Sequence, residues 1–249
     1  MSVRRAATAG CVALGLALGG SGLAACTGDA QELSGAQTAT PAYGALLSRT
    51  VQSIDSAKTV RFHASSTDVP AGAGSTKLLT GQGVMTRPTP PSAAFRGTLD
   101  LLINDRRTTL KLISYRDVVY VRPAGATKYQ VVDPVSFGLF DPAVLIKAKT
   151  GISSLVSNLR SVQDQGVDGV DGVRVHTLQG EVSGLLARRI LPIADVYRPV
   201  GISLRIDEET AQLREIDLTG YFFTREDRST YRITLSRWNE KAAVTTPAT

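Results

Sequence analysis

The spacing of apolar positions changes character along the chain. From Pro41 the positions Tyr43, Leu46, Leu47, Thr50, Val51 and Ile54 recur at i, i+3, i+4, i+7, i+8 and i+11, one buried stripe on an otherwise polar helix. Thr40 ahead of Pro41 is a helix start signal, and the pattern stops at Ser56. Strand-like segments follow: Thr59–Val69, Lys77–Arg87, Ala93–Asn104, Thr108–Tyr115, Val118–Arg122 and Lys128–Val132. Turn chemistry separates them, including Pro70-Ala71-Gly72, the run Pro88–Pro91, Asn104-Asp105, Arg116-Asp117 and Pro123-Ala124-Gly125. Six strands with short links predict an antiparallel meander.

The middle of the chain turns helical. Asp141-Pro142 caps one short helix with proline at its first position, and Thr150 begins another carrying Ile152, Leu155, Val156, Leu159 and Val162 at helical spacing. Gly166–Gly172 (GVDGVDG) reads as a turn run feeding the strand Val173–Val182, and Ser183–Ile190 as a short helix stopped by Pro192. Val200–Asp207, Leu213–Gly220 and Tyr231–Trp238 complete a set of about ten strands. Strands and helices group rather than alternate, which predicts an α+β fold. A strongly twisted sheet of that size curls, and the helices with aliphatic stripes are the material available to cover its concave face. Hydrophobic pattern does not distinguish a dry packed interior from a cavity there.

The first residues behave differently. Arg4 and Arg5 precede an uncharged run, Ala6–Gly22, interrupted by Gly10, Gly15, Gly19 and Gly20, the anatomy of an export signal. Leu23-Ala24-Ala25-Cys26 closes it as a lipobox, in which small side chains fit the processing peptidase and the Cys26 thiol accepts diacylglycerol. The expected organisation is a signal peptide at 1–25, a flexible tether at 26–40, a folded domain at 41–241 and a polar tail at 242–249. The competing reading, an uncleaved membrane anchor over Ala6–Ala25, is opposed by the glycines and the weak hydrophobicity. The tether Thr27–Thr40, as a flexible coil, would hold the domain roughly 20 Å from its lipid.

Charge and cysteine content narrow the classes of partner. The chain of 249 residues has 28 basic and 22 acidic side chains, and loss of Arg4 and Arg5 with the leader leaves a dispersed excess of four positive charges. This is unlike a nucleic-acid binder, which gathers its cations on one face; no nucleic-acid partner is expected. Of the two cysteines, Cys11 and Cys26, the first lies in the leader and the second is expected to be acylated, so the domain must be held by its core alone. About 200 residues suffice for that as one domain.

No catalytic constellation is found. The two histidines, His63 and His176, sit in strands, and the G-x-S-x-G, H-E-x-x-H, P-loop and G-x-G-x-x-G motifs are absent. Asp164, Asp168 and Asp171 suggest a calcium loop until the twelfth position is read, where Val175 stands in place of the bidentate glutamate. Glu208 with Glu209, and Glu226 with Asp227, fall among polar neighbours at strand ends, where neither carboxyl would be shielded. The expectation is a non-enzyme with no metal and no cofactor.

At Leu139-Phe140-Asp141-Pro142-Ala143-Val144-Leu145, and again over Thr150–Leu159 (TGISSLVSNL), the chain resembles the mycobacterial LppX/LprA/LprF/LprG lipoproteins, with their DPA-x-x-L helix followed by TGL-x-x-L-x-x-N. The likeness continues through Asp171-Gly172, Gly180-Glu181-Val182 and Leu235-Ser236-Arg237-Trp238, where Asn239 replaces the family's glycine. The resemblance implies a curved antiparallel half-barrel with helices over its concave face, similar to bacterial lipoprotein carriers, enclosing an apolar cavity. It also implies binding of acylated lipids or glycolipids and their carriage across the cell envelope, from the extracytoplasmic face of the cell membrane.

On that basis Phe95, Leu99, Leu101, Ile103, Leu145, Ile152, Leu155, Val156 and Leu159 are the candidate cavity lining. Alternation in the third strand places its four members opposite Arg96, Asp100 and Asn104, with a bulge expected near Leu101-Leu102. Arg188 and Arg189, beside the last predicted helix, are candidates for holding a phosphate headgroup. A monomer is expected, with an envelope transporter as a further candidate partner. The alternatives are an envelope scaffold with a solid core and a solute-binding lipoprotein, the second disfavoured because two α/β lobes are not predicted.

Overall fold

The helical stripe becomes α1 (Ala42–Ser56), in which Leu46, Thr50 and Ile54 are buried while Ser48, Arg49 and Gln52 face solvent. The Thr50 hydroxyl satisfies itself within the helix, donating to the Leu46 carbonyl at 2.9 Å. These features come from a computed structural model that describes residues 42–70, 76–89, 92–137, 140–170 and 172–248. The leader, the lipobox with Cys26 and the tether lie outside the described residues.

Among the described residues eleven strands follow in one antiparallel sheet. They are β1 (Thr59–Thr67), β2 (Lys77–Thr89), β3 (Ser92–Ile103), β4 (Arg106–Tyr115), β5 (Val118–Pro123), β6 (Gln130–Val132), β7 (Arg160–Val170), β8 (Val173–Val182), β9 (Val200–Asp207), β10 (Leu213–Gly220) and β11 (Ser229–Ser236). Their order across the sheet is β6-β5-β4-β3-β2-β1-β11-β10-β9-β8-β7. The chain therefore steps outward from β1 to one edge, crosses to the opposite edge, and steps back until β11 pairs with β1. Laid flat, eleven strands would put the edges roughly 48 Å apart. The crossover, residues 133–159, runs over one face of the sheet instead of along a side.

That crossover holds two 3-10 turns, Pro134–Phe137 and Pro142–Ile146, and the helix α2 (Ile152–Ser157). Pro142–Ile146 packs on β2 and β3, and α2 packs on α1, so together they cover the face toward which the strands turn their apolar side chains. The alternation is regular: Val60, Phe62 and Ala64 in β1, Ile202, Leu204 and Ile206 in β9, and Tyr231, Ile233 and Leu235 in β11 are buried, with more exposed residues between them. Residues 40–249 form one compact unit with its own core.

Three expectations are corrected. The helix expected to run from Thr150 past Leu159 ends at Ser157; Asn158 caps it, its side-chain amide donating to the Ser154 carbonyl at 2.9 Å, and Val162 lies in β7. Much of the run GVDGVDG, read as a turn, belongs to β7, an eleventh strand that pattern did not find. This edge strand has two register shifts, with left-handed Ser161 (φ 52°) and Gly166 (φ 90°) at them, and is mostly exposed on both faces, so it shows no alternation. The third correction concerns β3, which pairs with β4 without any shift; the irregularity sits across the ladder in β2, between Leu78 and Thr80.

A small second cluster lies on the other face of the sheet: Val84, Ala94 and Ile113 pack with Val244, flanked by Tyr115, Tyr120, Tyr129 and Ala242. The segment expected to be a polar tail from residue 242 thus supplies part of the domain's packing. Among the described residues no helix is long and apolar enough to cross a membrane.

Candidate functional site

Two walls face each other in the interior. The sheet contributes Phe95, Leu99 and Leu101 from β3, all buried, and the cover contributes Leu145, Ile152, Leu155 and Val156, also buried. Ile103 and Leu159 are partly buried against the same cluster, so all nine lining candidates meet in one core. In β3 the odd-numbered residues 95 to 103 share the covered face by plain alternation.

The floor of this space is glycine-rich. Gly83 of β2 and Gly97 of β3 are directly paired, and a Cβ on either would fall within 2.7 Å of the Phe95 ring. The glycines let that ring lie close to the sheet, where it meets Phe62 edge-on at a centroid distance of 5.7 Å.

Between the walls the side chains close on one another. A slot of about 10 Å³ persists, lined by Leu78, Leu99 and Tyr231 from the sheet, Phe140 and Pro142 from the crossover, and residues 191–193 from the loop before β9. It is just large enough for one water. Burial pushes the Tyr231 phenol well above its ordinary pKa, so this polar atom stays neutral at the slot. Tyr231, Phe140 and residues 191–193 were not foreseen; Phe140 stands in the Leu-Phe-Asp-Pro string, but nothing local marks the other positions as neighbours of it.

Polar links hold the cover at its ends. The buried Arg87 guanidinium on β2 donates to the Ala57 carbonyl at 2.9 Å, the Ile54 carbonyl at 3.2 Å, and the carbonyls of Asp55 and Ile146. It therefore satisfies acceptors at the end of α1 and of Pro142–Ile146 together, although desolvation holds its pKa below the usual arginine value. Asp141 caps the turn Pro142–Ile146, accepting from the Ala143 amide at 2.9 Å and from the Ser114 hydroxyl at 2.6 Å. Arg49 on α1 donates to the carbonyls of Glu208 and Glu209, at 3.3 and 2.7 Å.

The remaining candidates disperse. Arg188 and Arg189 are both exposed after α3 (Gly184–Ala187), and neither is ion-paired among the described residues. His63 is exposed on β1. His176 is engaged with Asp164 at 2.7 Å and lies 3.7 Å from Glu208. The Asp164 carboxyl also accepts from the Gly166 amide at 2.8 Å, and this amide together with His176 holds it below the usual carboxylate range. Asp171 lies outside the described residues, and among those described no three His, Cys, Asp or Glu side chains converge as metal ligands.

An open antiparallel half-barrel with an aliphatic concave face under a short helical cover defines the class to which this domain belongs. Residues 44–244 match the LppX_LprAFG lipoprotein family, and the chain is a member of it. Over 110 residues it is 28% identical to the lipoarabinomannan carrier protein LprG of Mycobacterium tuberculosis, a match spanning 44% of each protein, so less than half the length of that relative is covered. Its fold is that of LprF from Mycobacterium bovis, with a TM-score of 0.69 at 16% identity over 84% of this chain and 99% of that one. LppX from Mycobacterium tuberculosis superposes with a TM-score of 0.57 at 17% identity, covering 81% and 99% of the two chains.

Proposed function

We propose that this protein is a non-catalytic lipid carrier, acylated at Cys26 on the extracytoplasmic face of the cell membrane, that shelters the acyl chains of a lipid or glycolipid between its sheet and its cover. The observation that carries this reading is the apolar meeting of the two walls, with a slot left between them at Leu99, Phe140 and residues 191–193. Exposing a chain of some fifteen methylenes to water costs about 12 kcal/mol, and an aliphatic interior offsets it. Family membership and the name of the LprG relative support the same reading.

Loading then requires movement. The slot is far smaller than the several hundred Å³ of an ordinary ligand pocket, so Pro142–Ile146 must lift from β2 and β3, and α2 shift with it against α1, to admit a chain. Phe95, Leu99, Leu101, Ile103, Leu145, Ile152, Leu155, Val156 and Leu159 line the opened space. Arg188 and Arg189 hold the headgroup; replacing both with alanine should lower loading of anionic lipid, and unchanged loading would remove that assignment.

The closed packing favours a second reading, an envelope scaffold whose core never opens. Native mass spectrometry of residues 40–249, purified from the envelope in which the protein is made, separates the two. Co-purified lipid is the carrier's outcome. A ligand-free domain that also excludes added phospholipid is the scaffold's, and would overturn the proposal.

A further inference from the structure

Three cations from separate parts of the chain meet in one groove of about 290 Å³: Lys149 from the end of the crossover, Arg160 from the start of β7 and Arg189 after α3. Ser154 and Asn158 contribute polar groups to the same groove, and Leu185 forms part of its lining. Lys149 is fixed in the left-handed region, φ 63°, by its backbone amide, which donates to the Asp55 carboxylate at 3.2 Å.

Eight other cations are ion-paired among the described residues, while others, Arg106, Lys111 and Lys128 among them, stand without an ion pair but do not line one groove together. Arg174 pairs with Glu208, Lys147 with Asp117, Arg198 with Asp195, Arg205 with Glu215, and Arg232 with Asp217. Lys149, Arg160 and Arg189 have no ion pair among the described residues. The neighbouring acids are Asp55 and Glu181, which faces Arg160 across the β7–β8 ladder; neither lines the groove. Leu185, 64% exposed, adds an apolar side chain left in water beside this charge.

We propose that this groove docks the domain on an anionic bilayer, the three cations taking the phosphate of one phospholipid headgroup while Leu185 enters the interface. A soluble anion would gain nothing from Leu185, and a neutral bilayer nothing from three unpaired cations; a phospholipid surface is complementary to both. Docking shares Arg189 with the headgroup assignment but does not rest on what the interior carries: vesicle docking is read without cargo, and Lys149, Arg160 and Leu185 have no part in the headgroup assignment.

The test is co-sedimentation of residues 40–249 with phosphatidylcholine vesicles containing rising fractions of phosphatidylglycerol. Binding should rise with the anionic fraction and weaken with salt. The triple variant K149Q/R160Q/R189Q, checked for an unchanged circular dichroism spectrum, should bind on the order of 100-fold more weakly. Leu185→Ser should weaken vesicle binding without altering binding of inorganic phosphate. Equal loss in the charge-matched variant R106Q/K111Q/K128Q would reduce the effect to overall charge and overturn the proposal. So would wild-type binding that ignores the anionic fraction, or a Leu185→Ser variant that binds vesicles as wild type does, which would leave a free phosphate as the ligand.

Discussion

The guanidinium of Arg87 on β2 donates to the carbonyl of Ile146, fastening the crossover to the strand beneath it. The same side chain takes the carbonyls at the end of α1, so one residue joins helix, cover and sheet. Arg87→Met leaves these acceptors without their donor, and a buried acceptor left unpaired costs about 1–3 kcal/mol. The unfolding free energy from urea titration should fall by about 2 kcal/mol, lowering the midpoint, with faster hydrogen exchange in residues 142–157. An unchanged midpoint and unchanged exchange would show that Arg87 is not the fastening.

Asp141 sets a pH dependence of stability. Burial pushes its carboxyl above the usual range, opposed by the Ser114 hydroxyl and the Ala143 amide. A raised folded pKa means that the fold favours the protonated acid. This contribution is full below the ordinary carboxylate pKa and is lost as pH rises through the raised folded value. Asp141→Asn, which keeps an oxygen for the Ala143 amide, should therefore gain on the wild type as pH rises from 3 to 8 in parallel denaturation series. A constant difference across that range would contradict the assignment.

Leu155, fully buried in α2, tests the packing of the cover. Leu155→Ala should cost about 3 kcal/mol in chemical denaturation. Leu99→Trp acts at the slot, where a larger side chain should lower lipid loading, read by native mass spectrometry, more than it lowers the melting temperature. Undiminished loading would place acyl chains elsewhere.

The C-terminal segment should matter for stability. Ending the chain after Lys241 removes Val244 from the Val84, Ala94 and Ile113 cluster. Loss of that buried side chain predicts about 2 kcal/mol of destabilisation, measurable by urea titration and absent in a variant ending after Ala248.

Most strands were legible because one face is buried and one is not, so alternation wrote itself into β1, β9 and β11 at positions such as Phe62, Leu204 and Ile233. β7 was illegible for the opposite reason: with both faces largely exposed it has no alternation to read, and its Gly and Asp content serves shifts in register. The lining candidates came together because aliphatic spacing selects the covered face. Whether that face opens was not readable from pattern. Arg87 escaped notice because its acceptors lie 30 to 59 residues away, and the grouping of Lys149, Arg160 and Arg189 depends on the crossover ending beside α3.

Among the described residues the sheet keeps two free borders, and each is a poor template for a neighbour. β6 offers three residues, Gln130–Val132, too few to hold an incoming strand. β7 is kinked at Ser161 and Gly166 and studded with Asp164 and Asp168, so its outward amides and carbonyls do not present a straight row. Under the proposed lipid anchoring, copies of the domain would meet constantly side by side, and these blunted borders discourage them from zipping together into fibres.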